Sequence, residues 1–354
     1  MKKSLLLKFL QIIVAIITLL IFVIPGSISF AQPTVSESKV EGADFGKGIE
    51  IYDVHKVYET LNLGIEAESC ILIDSNTGQI LYSQDADKPG IYPASTTKIM
   101  TAIVDLENAD LDQVMIASQA AINDIGDGGM NIGIMAGEKI CFRDLLNAML
   151  VCSANETANI IAENIASSRE EFIDMMNKRA KELGAINTNF VNTCGIHNDE
   201  HYTTARDMAI IARHAMTIPG FRGIVRKDHY NMSVTNKHEK WNTLYTTNKF
   251  LKQSPKPDIK YNIIGIKTGF TTPAGHNLVT AAVNNEGMEL ISVVLGVKNE
   301  RSWENVYLYT QKLLDYGFTN YSIQTLVNSN TLIHNTSVKN AKDNSTLNLI
   351  TEDI

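Results

Sequence analysis

The sequence predicts a mixed α/β domain, an antiparallel sheet flanked by helices with a largely helical subdomain beside it, and three observations predict it. An apolar strand pair, Cys70-Ile71-Leu72-Ile73 and Ile80-Leu81-Tyr82, brackets the turn Asp74-Ser75-Asn76-Thr77-Gly78. A block with mostly helical spacing follows, from about residue 136 to 216. Three further apolar runs, at residues 263–267, 277–283 and 290–297, precede an amphipathic helix at 303–316.

Each element has its own signal. The Asn-Thr-Gly turn between two apolar runs marks a hairpin. A helix opens near Ser95 and carries Ile99, Met100, Ile103 and Val104 at helical spacing. In the helical block, Leu145, Leu146, Met149 and Leu150 mark one helix, and Ile160, Ile161 and Ile165 another. Ser168-Arg169-Glu170-Glu171 opens a third in a capping-box arrangement. Thr204-Ala205-Arg206-Asp207 opens a fourth that runs to Met216, and after Pro219 the pattern turns to short strands and loops. Asn284-Asn285-Glu286-Gly287 folds the last two strands into a hairpin, and residues 320–354 are polar and Asn-rich with weak strand signals. No internal repeat is visible.

Composition sets the class. The chain has 354 residues, a formal net charge of -8, 44% hydrophobic and 20% charged residues, which excludes disordered, collagen-like and coiled-coil chains. The length supplies a real core. An acidic balance argues against a nucleic-acid partner, whose binder carries a basic footprint. Lys2, Lys3 and Lys8 precede an apolar run at residues 9–24, then Pro25-Gly26 and Ser29-Phe30-Ala31. This is the layout of a secretory signal peptide at residues 1–31, cut after Ala31. The same run approaches the length of a membrane span, so membrane contact is expected only if the segment stays uncleaved. Export permits disulfides among Cys70, Cys141, Cys152 and Cys194. The first three sit in or beside apolar segments, where buried free thiols are the simpler expectation.

Three short motifs carry the chemistry. Ser95-Thr96-Thr97-Lys98 is an S-x-x-K, Ser153-Ala154-Asn155 an S-x-N, and Lys267-Thr268-Gly269 a K-T-G. An S-x-x-K arises by chance about once in a chain of this length. Ser36-Glu37-Ser38-Lys39 is such a decoy, in a polar stretch with no helical pattern after it. The ordered conjunction is the signal, and it matches the signature of penicillin-recognising serine enzymes. On a helix, positions i and i+3 share a face, so Lys98 can reach the Ser95 hydroxyl. Serine is a weak nucleophile until a base takes its proton. Lysine is a base only when neutral, and burial beside a second cation, Lys267, pushes its pKa down. Ser153 can relay a proton to a leaving group, and Asn155 can hold Lys98 and a substrate amide. Lys267 and Thr268 offer a cation and a hydroxyl to a carboxylate, and Gly269 lets backbone approach a ligand. The N–H groups of Ser95 and Phe270 are the oxyanion-hole candidates.

On these motifs the chain resembles the D-alanyl-D-alanine carboxypeptidases of peptidase family S11, the low-molecular-weight penicillin-binding proteins. Pro93-Ala94-Ser95-Thr96-Thr97-Lys98-Ile99-Met100-Thr101, Thr188-Asn189-Phe190-Val191-Asn192, His201-Tyr202-Thr203-Thr204-Ala205-Arg206-Asp207 and Gly265-Ile266-Lys267-Thr268-Gly269-Phe270-Thr271 all resemble segments of that family. So does Leu313-Leu314-Asp315-Tyr316-Gly317-Phe318. The resemblance implies a serine β-lactamase/DD-peptidase-like fold and a Ser95 acyl-enzyme on stem peptides ending in D-Ala–D-Ala. It implies β-lactams as covalent inhibitors, and no cofactor or metal. It puts an exported bacterial protein at the cell wall or the outer face of the cytoplasmic membrane. Arg301 falls where the family often has an arginine that helps bind the terminal carboxylate. The sequence pattern itself gives a polar lead-in at 32–66 with a short helix near 54–61, and the resemblance implies a catalytic domain at 67–319 and a stretch at 320–354 resembling the start of a second, β-rich domain. Cys194-Gly195 stands where members often have His-Gly or Thr-Gly, a departure at the rim of the site.

Rival readings remain at this level. Ser95 alone could be a helix cap. Ser153-Ala154-Asn155 could be an ordinary turn between helices, and Lys267-Thr268-Gly269 a strand end. Cys194, His197 and His201 have metal-like spacing, though no fourth ligand is specified. A serine β-lactamase shares the motifs, but no E-x-x-L-N-like segment lies between S-x-N and K-T-G. A transpeptidase differs only in the acyl acceptor. A non-catalytic wall-binding regulator would keep the fold, but such proteins tend to lose one of the motif residues, and here all are intact.

Overall fold

The computed structural model describes residues 62–252, 259–324, 332–337 and 346–350. The expected signal peptide, the short helix near 54–61 and most of the lead-in lie outside the described residues. In chain order the first half comprises β1 (Ser69–Asp74), β2 (Ile80–Gln84), a 3-10 turn (Ala94–Thr97), α1 (Lys98–Asn108), β3 (Val114–Ile116), α2 (Gln119–Asn123) and β4 (Lys139–Cys141). Then come α3 (Phe142–Val151), α4 (Asn155–Ile165), α5 (Arg169–Leu183), α6 (Ala205–Ala215), α7 (Phe221–Val225), β5 (His229–Tyr230), β6 (Leu244–Tyr245) and α8 (Lys249–Lys252). The second sequence block of strands is β7 (Asn262–Thr271), β8 (Gly275–Val283) and β9 (Glu289–Val297), followed by α9 (Ser302–Asn320).

The strand pair at residues 69–84 and the strand triplet at 262–297 meet in one sheet. Its order is β2-β1-β9-β8-β7, with every neighbouring pair antiparallel. β9 is buried at all nine positions, which is why its sequence reads as continuous apolar residues rather than alternation. One face, carrying Ile71, Ile73, Ile291 and Val293, joins the core that α1 and α6 fill with Ile99, Met100, Ile103, Met208 and Ile211. Each such side chain contributes about 1.5–3 kcal/mol by leaving water. α9 covers the other face. It approaches so closely at Gly317 that a Cβ there would lie 2.5 Å from Leu290 and 2.7 Å from Leu72.

The expected elements form, with informative differences. The Ser95 segment begins as a 3-10 turn and becomes α-helical only at Lys98. β7 does not stop at Lys267-Thr268-Gly269 but continues to Thr271, because β8 pairs with it as far as Thr271↔Gly275. Ser168 caps α5 by accepting from the Glu171 amide, yet Glu171 reaches back to the Ser167 amide rather than to Ser168. Thr204 caps α6 on Asp207 as its sequence implies. The helical block is interrupted at residues 184–204, where Asn and Thr side chains satisfy the backbone in place of helical bonds. The small pairs β3–β4 and β5–β6 carry too few residues for periodicity to announce them. All four cysteines are free thiols, with Cys70, Cys152 and Cys194 buried and Cys141 half-buried.

From Asn320 the chain forms a second unit, whose described part is an antiparallel pair, β10 (Leu332–Ser337) with β11 (Thr346–Ile350). Among the described residues no helix is long and apolar enough to cross a membrane.

Gly317→Val tests the contact between α9 and the sheet. Forcing two methyl groups against Leu72 and Leu290 is expected to cost about 1–3 kcal/mol. A lowered thermal midpoint with unchanged Ser95 reactivity at 20 °C (about 20 °C being well below unfolding) checks it; an unchanged midpoint contradicts the tight packing.

Candidate active site

The three motifs converge on one cleft of about 640 Å³, with Ser95, Ser153, Asn155, Thr268 and Gly269 in its walls. The 3-10 turn and α1 present Ser95 and Lys98 one above the other, so Lys98 Nζ lies 3.0 Å from Ser95 Oγ. Lys98 is fully buried and also donates to Asn155 Oδ1 and to the Cys194 carbonyl, each at 2.7 Å. Ser153 occupies the sharp turn between α3 and α4 with φ +69, a left-handed conformation that costs a non-glycine residue about 1–3 kcal/mol. That turn aims its hydroxyl at Lys267, whose Nζ donates to Ser153 Oγ and to the Thr268 carbonyl at 3.0 Å each.

Close backbone approach makes the cleft. A Cβ at Gly269 would lie 2.8 Å from the Pro93 carbonyl and 3.2 Å from the Ser95 amide, so glycine is what lets β7 lie against the nucleophile turn. Gly195, at φ +88, is more constrained, since a Cβ there would lie 1.9 Å from the Ala94 carbonyl. Asn277 on β8 locks the same turn, donating to the carbonyls of Tyr92 and Pro93 while its own carbonyl accepts from Gly296.

Electrostatics follow from burial. Burial drives the Lys98 pKa down to about 8, although neighbouring acidic groups pull the other way. Burial, and then the Lys98 charge, hold Lys267 well below the usual lysine range. The polar partners of Lys98 fit a neutral amine. Asn155 Oδ1 and the Cys194 carbonyl take its two N–H bonds, leaving the lone pair for the Ser95 hydroxyl.

Arg301 is not brought to this cleft. It lies in a neighbouring groove with Trp303 and Glu304, is largely exposed, and pairs with Glu304. Phe270 lines the cleft mouth, more than half exposed and tilted against the His276 ring. The metal-like trio does not converge. Cys194 is buried, and both ring nitrogens of His201 are engaged, one by Thr97 Oγ1 at 2.8 Å and one by the Val191 amide at 3.1 Å. Because Nδ1 accepts from that amide, Nε2 carries the proton, and burial lowers the His201 pKa to about 3. Among the described residues no three His, Cys, Asp or Glu side chains cluster as a metal site.

Sequence reasoning missed the Cys194 carbonyl, Asn277, and Thr247, whose hydroxyl lies 2.6 Å from that of Thr268. Backbone acceptors leave no residue-type signal, and the other two have none apart from their place in the fold.

Comparison with known proteins agrees with the geometry. The D-alanyl-D-alanine carboxypeptidase family profile matches residues 56–299. The chain is 33% identical over 288 residues to the D-alanyl-D-alanine carboxypeptidase DacF of Bacillus subtilis, covering 80% of this chain and 70% of that one. It is 32% identical over 269 residues to DacA of Haemophilus influenzae, covering 73% of this chain but 63% of the relative, under two thirds of its length. Among solved structures, penicillin binding protein 5 from Haemophilus influenzae superposes with a TM-score of 0.70 at 28% identity, covering 81% of this chain and 80% of that one. The Streptomyces K15 DD-transpeptidase superposes with a TM-score of 0.65 at 30% identity, covering 72% of this chain and 98% of that one.

A neutral Lys98 is the proton acceptor within reach of Ser95, and it is the minority form below a pH of about 8. The rate of Ser95 acylation should therefore climb close to tenfold per pH unit up to about 8 and level off above it. A profile flat down to strongly acidic pH would exclude Lys98 as the acceptor.

Proposed function

The chain belongs to the D-alanyl-D-alanine carboxypeptidase family of serine peptidases, and from that premise we propose that it removes the terminal D-alanine from peptidoglycan stem peptides. The observation that carries this reading is Lys98 Nζ, buried and 3.0 Å from Ser95 Oγ, inside a cleft shared with Ser153, Asn155 and Lys267.

Ser95 Oγ attacks the carbonyl of the penultimate D-alanine as Lys98 takes its proton. The N–H groups of Ser95 and Phe270 receive the developing oxyanion, with the helix dipole of α1 adding to them. The Ser153 hydroxyl, oriented by Lys267, hands a proton to the departing D-alanine amine, and the C–N bond breaks. Lys267 and Thr268 supply charge and a hydroxyl to the terminal carboxylate. Arg301 joins them only if it leaves Glu304 and turns into the cleft. Water then attacks the Ser95 ester, returning the proton through the same relay. The same attack on a β-lactam opens the ring without releasing a leaving group, so penicillins acylate Ser95.

The cleft favours this reading over a β-lactamase. Among the described residues that line it, the one acidic side chain is Asp127, exposed in a glycine-rich segment, and no glutamate is placed to activate a hydrolytic water. The signal-like N-terminus supports work outside the cytoplasm, at the wall or the outer face of the membrane.

D-Alanine release from a pentapeptide ending in D-Ala–D-Ala is the test. The chain is expected to release it, and Ser95→Ala to lose at least about 10³-fold in rate. Fast turnover of a chromogenic cephalosporin would favour the β-lactamase reading instead. No release and no penicillin labelling by folded protein would favour the wall-binding regulator.

A further inference from the structure

Glu156 follows directly after Asn155 at the start of α4, is 1% exposed, and has no part in the chemistry described above. Its Oε1 accepts from the Ile132 amide at 2.6 Å, and its Oε2 has no hydrogen-bond partner among the described residues. Residues 125–130 line one side of the cleft, opposite β7. Two consecutive α4 residues hold this wall. Asn155 donates from Nδ2 to the Ile125 carbonyl at 2.9 Å and from its amide to the Met130 carbonyl at 2.7 Å. Glu156 secures the far end of the wall at Ile132. The wall has little slack, since a Cβ at Gly129 would lie 2.0 Å from the Ile125 carbonyl.

The buried carboxyl also stands in an unusual field. The titratable groups that raise the Lys98 pKa against burial are Cys194 from the loop at residues 192–196, Glu156 from α4 and Cys152 from the turn before it, while Lys98 in turn lowers Lys267 on β7. Burial pushes both thiols up, which leaves them neutral at physiological pH. Of the three groups that raise the Lys98 pKa, Glu156 is then the one able to carry negative charge. Burial raises its own pKa, while the Ile132 amide and the Lys98 charge oppose that rise.

We propose that Glu156 is a positioning residue for acylation: a buried carboxylate that ties Ile132, just past the cleft wall at residues 125–130, to the start of α4, and that places negative charge directly beside Asn155, the residue that holds Lys98. Through the wall it sets the width of the cleft beside Asn155. Through its charge it sets the pH at which Lys98 becomes competent to take the Ser95 proton. The second effect rests on the acyl-enzyme reading above; the first does not.

Two variants of the full chain separate the parts. Glu156→Gln keeps an acceptor for the Ile132 amide and removes the charge. The acid limb of Ser95 acylation by a fluorescent penicillin should move to lower pH by about one unit, since loss of a neighbouring opposite charge lowers a lysine pKa. Glu156→Ala also removes the acceptor. Amide hydrogen exchange should then accelerate about tenfold or more at residues 125–133, with Glu156→Asp restoring part of the protection and Glu156→Gln most of it. A merely structural carboxyl would leave the acid limb where it is, so superimposable pH profiles for wild type and Glu156→Gln overturn the charge role. Unchanged exchange at 125–133 in Glu156→Ala overturns the tie. A wild-type protein that never labels counts against the proposed function, and the exchange measurement still decides the tie.

Discussion

The site is organised around two buried lysine amines held without a hydrogen-bonded carboxylate. Lys98 and Lys267 are at most 1% exposed, and their hydrogen-bond partners are neutral oxygens of Ser95, Asn155, Cys194, Ser153 and Thr268. Taking a cation out of water without a hydrogen-bonded carboxylate is expensive, and the molecule relieves the cost by lowering both pKa values. In the proposed acyl-enzyme mechanism that relief is what the chemistry needs, because a lysine driven towards neutrality is a base. A tight ion pair at Lys98 would keep the amine charged and unable to serve the role proposed for it.

Holding the two lysines in register requires backbone to approach backbone more closely than side chains permit. β7 reaches the nucleophile turn at Gly269, and the loop carrying the Cys194 carbonyl reaches it at Gly195. The price is visible in Ala94 and Ser153, both non-glycine residues at positive φ and both beside the cleft. The core supplies the offset. β9, buried at every position, and the apolar faces of α1 and α6 stabilise the frame from which these strained turns project.

Legibility in the sequence followed the range of the interactions. The hairpin β1–β2, the caps of α5 and α6 and the strands β7 to β9 were readable because turn chemistry, capping and apolar runs are local. The joining of β1 to β9 was not, since residues 69–74 and 289–297 carry no mark of each other. At the site, the types of Ser95, Lys98, Ser153, Asn155 and Lys267 announced their chemistry, while Asn277 looked like an ordinary strand residue until its amide was seen spanning Tyr92 and Pro93. Arg301 shows the opposite failure. Its place in the sequence suggests a carboxylate ligand, but at φ +58, just before α9, it turns to Glu304 instead.

The cysteine at position 194 becomes intelligible on the same grounds. Lys98 is held by the carbonyl of this residue and not by its side chain, and any residue presents that carbonyl equally well. What the position demands is a loop bent sharply enough to aim the carbonyl inward. Asn192 provides the bend by accepting from the amides of Cys194 and Gly195 and donating to the Ile196 carbonyl. The Cys194 side chain points into the interior, 1% exposed, with its thiol pushed towards the neutral form by burial. A side chain at 194 therefore has to be small enough to be buried and to leave Lys98 its field, and a neutral thiol meets both conditions. The glycine after it has no such latitude, because the Ala94 carbonyl occupies the space a Cβ would need.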